Sequence, residues 1–138
     1  LSGNLGAGKT VLTQGIGAGW GAQEPVTSPT FTLIHEHHRS QDSQTLYHVD
    51  CYRLGSAEEA WAIGLEDLLH GNDVAVLEWP ENIANALPPE HLWIDMTFLD
   101  DTERHLTLRA NGMRYQALLD ALRTNEFDGA TRPDNTAF

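Results

Sequence analysis

The sequence predicts an α/β fold. Three observations predict it. Gly3-Asn4-Leu5-Gly6-Ala7-Gly8-Lys9-Thr10 fits G-x-x-x-x-G-K-[ST] at every fixed position and opens straight into a helical segment. Short strand-like segments at 30–37, 45–51 and 74–78 alternate with helical ones. The apolar run Val74-Ala75-Val76-Leu77 ends in an acid, Glu78, as a buried strand with a carboxylate at its tip would. Together they define a single P-loop NTPase-type domain over residues 1–123, with a mixed β-sheet flanked by helices. Such a loop follows a buried strand, and Leu1-Ser2 is at most a stub of one. The N-terminal strand is therefore expected to be missing and the domain N-terminally truncated.

The elements follow in order. Residues 11–18 form the helix that the loop opens. Leu12 and Ile16 share a face, while Gly15, Gly17 and Gly19 lower its propensity. Residues 19–29 are turn-rich. The two strands at 30–37 and 45–51 flank a polar turn and pair as a hairpin. Ser56 with Glu59 three residues on has capping-box spacing and starts a helix. Gly64 interrupts it, and Gly71 fits a C′ stop. Residues 80–86 form a short helix closed by Pro88-Pro89. Residues 92–99 and 104–110 read as a second hairpin around Asp100-Asp101-Thr102. Residues 113–123 form an amphipathic helix with Leu118, Leu119 and Leu122 on one side. Residues 124–138 are polar and aperiodic, which predicts a disordered tail.

With 138 residues, 41% of them hydrophobic, the chain suits one compact domain. No apolar run approaches the length of a membrane-spanning helix. Cys51 is the only cysteine, so an internal disulfide framework is excluded and a reducing, cytoplasmic setting is expected. The net charge is −12, from 20 acidic and 8 basic residues, which disfavours direct binding of a nucleic-acid backbone. Seven of the basic residues are Arg, and the only Lys is Lys9, inside the glycine loop.

The loop's spacing has a chemical reason. Its glycines permit backbone angles that aim successive N–H groups at an anion. The helix beginning near Lys9 adds the positive end of its dipole. Lys9 would reach the β- and γ-phosphates of ATP, and the Thr10 hydroxyl would ligate Mg²⁺. By average residue usage a chain this long matches the pattern by chance about once in 200.

Phosphoryl chemistry on Mg²⁺ also needs an acid at a nearby strand end. Glu78 and Asp50 both qualify, and Glu78 is in the better position. Each could instead be an ordinary strand-end carboxylate facing water. Arg53 could pair with Asp50, contact phosphate or lie free on the surface. Trp79 fits packing or ligand stacking. His35, His37 and His38 lie close together, but no Cys or second His pair completes a metal site, so a solvated hairpin tip is expected. Cys51 reads as a small core residue.

A GTPase would carry N-K-x-D, which a chain with Lys9 as its one lysine lacks. A small-molecule kinase, or a binding module that holds nucleotide without turnover, stays open as an alternative. The blocks Leu5-Gly6-Ala7-Gly8-Lys9-Thr10, Ser28-Pro29-Thr30-Phe31-Thr32-Leu33, His48-Val49-Asp50-Cys51-Tyr52-Arg53-Leu54, Gly64-Leu65-Glu66-Asp67 and Glu78-Trp79-Pro80-Glu81 together resemble the TsaE (YjeE) family. Their order and separations fit that family from residue 1 to about residue 110.

The resemblance implies an accessory ATPase of tRNA threonylcarbamoyladenosine (t6A) synthesis, working with TsaD and TsaB and touching tRNA only indirectly. It implies ATP on the loop Gly3, Asn4, Leu5, Gly6, Ala7, Gly8, Lys9 and Thr10, with Mg²⁺ held by Thr10 and Glu78. It implies Asp50, Glu78 and Lys9 as catalytic residues, and a switch at Ser28 to Thr30 in which Thr30 nears the γ-phosphate. Trp79 would lie near the nucleotide.

Overall fold

The computed structural model describes residues 1–29 and 32–124. The glycine-rich loop runs into helix α1 (Lys9–Trp20), and Gly8 at its N-cap takes the left-handed conformation, φ 102°. α1 outruns the predicted 11–18 at both ends despite its three glycines. Gly17 explains one of them: a Cβ there would stand 2.3 Å from Cγ2 of buried Val26. The helix gives up propensity at that position to seat the segment that follows it. Gly21 ends the helix with φ 92°, and its N–H bonds the carbonyls of Gly17 and Ala18.

Strands β1 (Ile34–His38) and β2 (Thr45–Asp50) form the expected hairpin, with Ile34 opposite Val49 and His38 opposite Thr45. α2 (Ala57–Ala62) is capped by Ser56, whose side chain accepts from the Glu59 N–H at 3.3 Å. Glu59 answers by accepting from the Gly55 N–H rather than from that of Ser56. Gly64 (φ 81°) breaks the chain into α3 (Leu65–His70). Gly71, predicted as a left-handed stop, is extended, with φ −76° and ψ −178°. β3 (Val74–Glu78) has the predicted bounds and pairs parallel to β2, with Asp50 opposite Glu78. A 3₁₀ helix (Pro80–Ala86) follows.

β4 (His91–Phe98) and β5 (Arg104–Asn111) make a separate antiparallel pair, backed by α4 (Met113–Thr124). The expected mixed sheet is thus the three-stranded β1-β2-β3, beside a two-stranded β4-β5. The first two residues join them. The Leu1 nitrogen donates to Leu77 O and the Trp79 N–H to Leu1 O. Ser2 donates to Ile94 O and accepts from the Met96 N–H. On α4 only Leu119 is buried; Leu118 is 47% exposed and does not share the packed face. The predicted tail at 125–138 lies outside the described residues.

Two cores result. Val49, Cys51, Leu54, Ala60, Leu65 and Ile83 fill the space between β2 and the helices α2 and α3. Ala7, Ile94 and Met96 fill the space under the loop. The loop is therefore clamped from below by β4 and continued by α1, while β2 and β3 present their C-terminal ends beside it.

Candidate functional site

Gly3 must be glycine. At φ 142° a Cβ would stand 2.3 Å from the Met96 carbonyl oxygen, so the loop could not pass so close to β4. Gly6 (φ 80°) and Gly8 (φ 102°) take left-handed angles with open space around Gly6, so they serve backbone shape. The Ala7 N–H bonds Asn4 O, and Leu12 N–H to Gly8 O is the first bond of the helical ladder. The amides of Lys9, Thr10 and Val11 precede that ladder, so they are directed out of the helix end toward the loop's hollow. Leu5 is 88% exposed at the loop's crest.

Lys9 is buried, and its ammonium donates to Gly3 O at 2.6 Å and Asn4 O at 3.1 Å. An ammonium has three hydrogens, so a third remains for an anion in the hollow. Burial lowers its pKa from the usual lysine value; the carboxylates of Glu78, Glu81 and Asp50 oppose that and favour the charge. The ammonium also sits 3.8 Å from the centre of the Trp79 ring, which supplies a cation–π contact. Trp79 is the one described non-glycine residue with positive φ (59°). That angle is costly for an aromatic residue, and it turns the ring under Lys9 with Tyr52 packed on it at 5.0 Å.

Glu78 is the centre of a buried polar cluster. Thr10 Oγ1 donates to its Oε2 at 3.1 Å, and Thr13 Oγ1 to its Oε1 at 3.3 Å. His48 Nε2 lies 2.8 Å from the same Oε1. Burial raises the Glu78 pKa, but the hydrogen bonds and charge of His48 and the hydroxyls of Thr10 and Thr13 outweigh it, so the net shift is downward. His48 Nδ1 is 3.2 Å from the Thr27 carbonyl oxygen, which can only accept. Both ring nitrogens therefore face acceptors.

Asp50 stands opposite Glu78 in the parallel register. Its carboxylate accepts from the Tyr52 N–H at 3.0 Å, a local turn that fixes the side chain. The Asp50–Arg53 ion pair considered above does not form among the described residues, and Arg53 is exposed. Thr30 lies outside the described residues. Cys51 is fully buried, as expected. No group of three or more His, Cys, Asp or Glu that could hold a metal occurs among the described residues. The histidine tip is less solvated than expected. His35 and His37 are half-buried, and the Nε2 of His37 is buried with no hydrogen-bond partner.

The structure thus gathers Lys9, Thr10, Asp50, Glu78 and Trp79 around one loop. It adds Thr13, His48 and the Thr27 carbonyl, which sequence reasoning did not single out. A signal existed. Residues 48 and 50 share one face of β2, and Glu78 lies on that face of the neighbouring strand.

A glycine loop closed by a helix N-terminus, a buried lysine and a strand-end acid bonded to a helix hydroxyl give this α/β protein the features of an anion-binding site. The family model described as "Threonylcarbamoyl adenosine biosynthesis protein TsaE" matches residues 1–106. The chain belongs to the TsaE family, which acts in tRNA threonylcarbamoyladenosine biosynthesis. It is 43% identical over 108 residues to the TsaE of Treponema pallidum, covering 78% of each chain. It is 41% identical over 122 residues to the TsaE of Bacillus subtilis, covering 88% of this chain and 75% of that one. The crystal structure of Bacillus subtilis YdiB superposes with a TM-score of 0.69 at 37% identity, covering 88% of this chain and 73% of that one. No helix among the described residues is long and apolar enough to cross a membrane.

Proposed function

We propose that this chain is a cytoplasmic Mg²⁺-dependent ATPase that serves as an accessory subunit in t6A modification of tRNA, with residues 1–123 as its ATPase domain and TsaD and TsaB as its partners. The observation that carries this reading is the 3.1 Å contact between Thr10 Oγ1 and Glu78 Oε2 at the mouth of the loop. Oxygens around an octahedral Mg²⁺ at about 2.1 Å stand about 3.0 Å apart along each edge. The two side chains therefore fit two neighbouring ligand positions, and both are hard oxygen donors.

When bound, Mg²⁺ would be held by Thr10 and Glu78 and would offset phosphate charge. The protein's own residues do the rest. The amides of the loop and of the start of α1 bind the phosphates, and the free hydrogen of Lys9 meets the β- and γ-oxygens. Gly3, Asn4, Leu5, Gly6, Ala7 and Gly8 give the loop its hollow. Asp50, fixed by the Tyr52 amide, orients the attacking water. Trp79 holds the lysine and borders the nucleotide, and Thr30 approaches the γ-phosphate from the Ser-Pro-Thr segment. With a net charge of −12, the chain meets tRNA through its partners rather than directly.

The test is Mg²⁺-dependent ATP hydrolysis by this chain, alone and with purified TsaD and TsaB, with Lys9→Ala as the blank. Slow turnover that rises with the partners and vanishes in the variant is expected. Nucleotide binding with no change on adding partners would contradict the accessory role. Transfer of phosphate to a small acceptor instead of water would favour a kinase.

A further inference from the structure

The buried ring of His48 touches two parts of the site that otherwise lie apart. It is fully buried, so neither contact is a chance surface encounter. On one side Nε2 meets Glu78 Oε1 at 2.8 Å. On the other, Nδ1 meets the main-chain oxygen of Thr27 at 3.2 Å, at the head of the Ser-Pro-Thr segment. Glu78 has two oxygens, and their partners divide cleanly. Oε1 takes His48 and Thr13, while Oε2 takes Thr10. The single hydroxyl hydrogen of Thr13 is shared between Oε1 and the Lys9 carbonyl, 3.0 Å away, so the Oε1 side meets helix and strand together. A carboxylate gripped at one oxygen offers the other in a set direction, the way outer partners orient metal ligands.

We propose that His48 is a positioning residue: it locks Glu78 so that Oε2 faces Thr10 for the cation, and the same ring anchors the main chain at Thr27, so that the carboxylate and residues 27–29 move as a linked pair. This rests on the ATPase reading above. The linkage is mechanical: a shift of the segment at Thr27 pulls the Nδ1 side of the ring and so reorients the carboxylate on its Nε2 side.

Two substitutions separate the contacts. His48→Gln keeps a nitrogen donor near the Nε2 position, toward Glu78. His48→Asn keeps one near the Nδ1 position, toward Thr27. Mn²⁺ affinity of the ADP complex is read by electron paramagnetic resonance, and amide hydrogen exchange is read in the peptide covering 24–29. In His48→Gln, Mn²⁺ affinity stays within about threefold of wild type while exchange in 24–29 accelerates. In His48→Asn, Mn²⁺ affinity falls about tenfold or more, the size expected for losing an outer partner, while exchange in 24–29 stays near wild type. ADP affinity in EDTA is unchanged in both, which a merely structural role would not preserve.

Equal loss in both variants, or wild-type behaviour in both, overturns the role of His48 and leaves the ATPase reading standing. A wild-type chain that binds neither ADP nor Mn²⁺–ADP overturns both. Should the variants not fold, the ring is read in the wild type by nitrogen-15 NMR of its histidines. The His48 signals shift when Mg²⁺ is added to the ADP complex if the ring senses the carboxylate, and stay fixed if the proposal is wrong.

Discussion

The Lys9 ammonium rests 3.8 Å from the centre of the Trp79 ring, and Trp79 holds a left-handed backbone to put it there. A nucleotide that recruits the lysine to its phosphates changes the charge over that indole. ATP addition is therefore expected to change tryptophan fluorescence, and Trp79→Phe to remove most of that change while Trp61→Phe keeps it. A fluorescence titration of the three proteins checks this. Loss of the signal in Trp61→Phe instead would place the response elsewhere.

The three glycines of α1 are expected to behave oppositely on mutation to alanine. Gly17→Ala meets Val26 Cγ2 at 2.3 Å, and overpacking of this kind costs about 1–3 kcal/mol, more than the gain of up to about 1 kcal/mol in helix propensity. Gly15 and Gly19 face open space, so alanine there stabilises by about 0.5–1 kcal/mol. Urea denaturation of the three variants reads the signs directly.

Cys51 is expected to be chemically silent in the folded protein. Burial, and then the neighbouring Asp50 charge, push its thiol up to about 12, so almost no thiolate exists near neutral pH. A thiol-reactive chromophore at pH 8 labels it only once urea has unfolded the chain. Fast labelling of the native protein would mean that the core around β2 opens.

Acid stability should depend on Glu78. Its folded pKa lies below the ordinary 4.5 because the hydrogen bonds from His48, Thr10 and Thr13 exceed the cost of burial. A depressed carboxylate contributes stability that is present above its unfolded pKa and is lost as pH falls through the folded one. The wild type therefore loses stability steeply below about pH 4.5, and Glu78→Gln, though less stable at pH 7, loses less over that range. Thermal melts from pH 3 to 7 measure the two slopes. Parallel slopes would contradict the shift.

Much of this architecture was legible in the residues. β3 was found at its true bounds because a purely apolar run ending in an acid has few other readings. The two hairpins were found because polar turns punctuate alternating strands. The glycines of α1 look like breaks in the sequence and shorten its apparent span, and only the packing of Val26 against Gly17 explains one of them. The leucine pattern of α4 misleads for Leu118, since leucines at 118, 119 and 122 span more than one narrow stripe. Motif spacing points to Lys9, Thr10 and Glu78, while the places of Asp50 and Trp79 beside the loop come from the resemblance. The roles of Thr13 and His48 come from neither, because they depend on strand register and on which helix face meets β3, and neither is written in a local pattern.

The most direct test of the central claim is the effect of Mg²⁺ on ATP affinity, measured by calorimetry for the wild type and for Glu78→Gln. If Thr10 and Glu78 hold the cation of a loop-bound nucleotide, Mg²⁺ tightens ATP binding about tenfold or more in the wild type and little in the variant. Equal tightening in both proteins, or none in the wild type, would contradict the account.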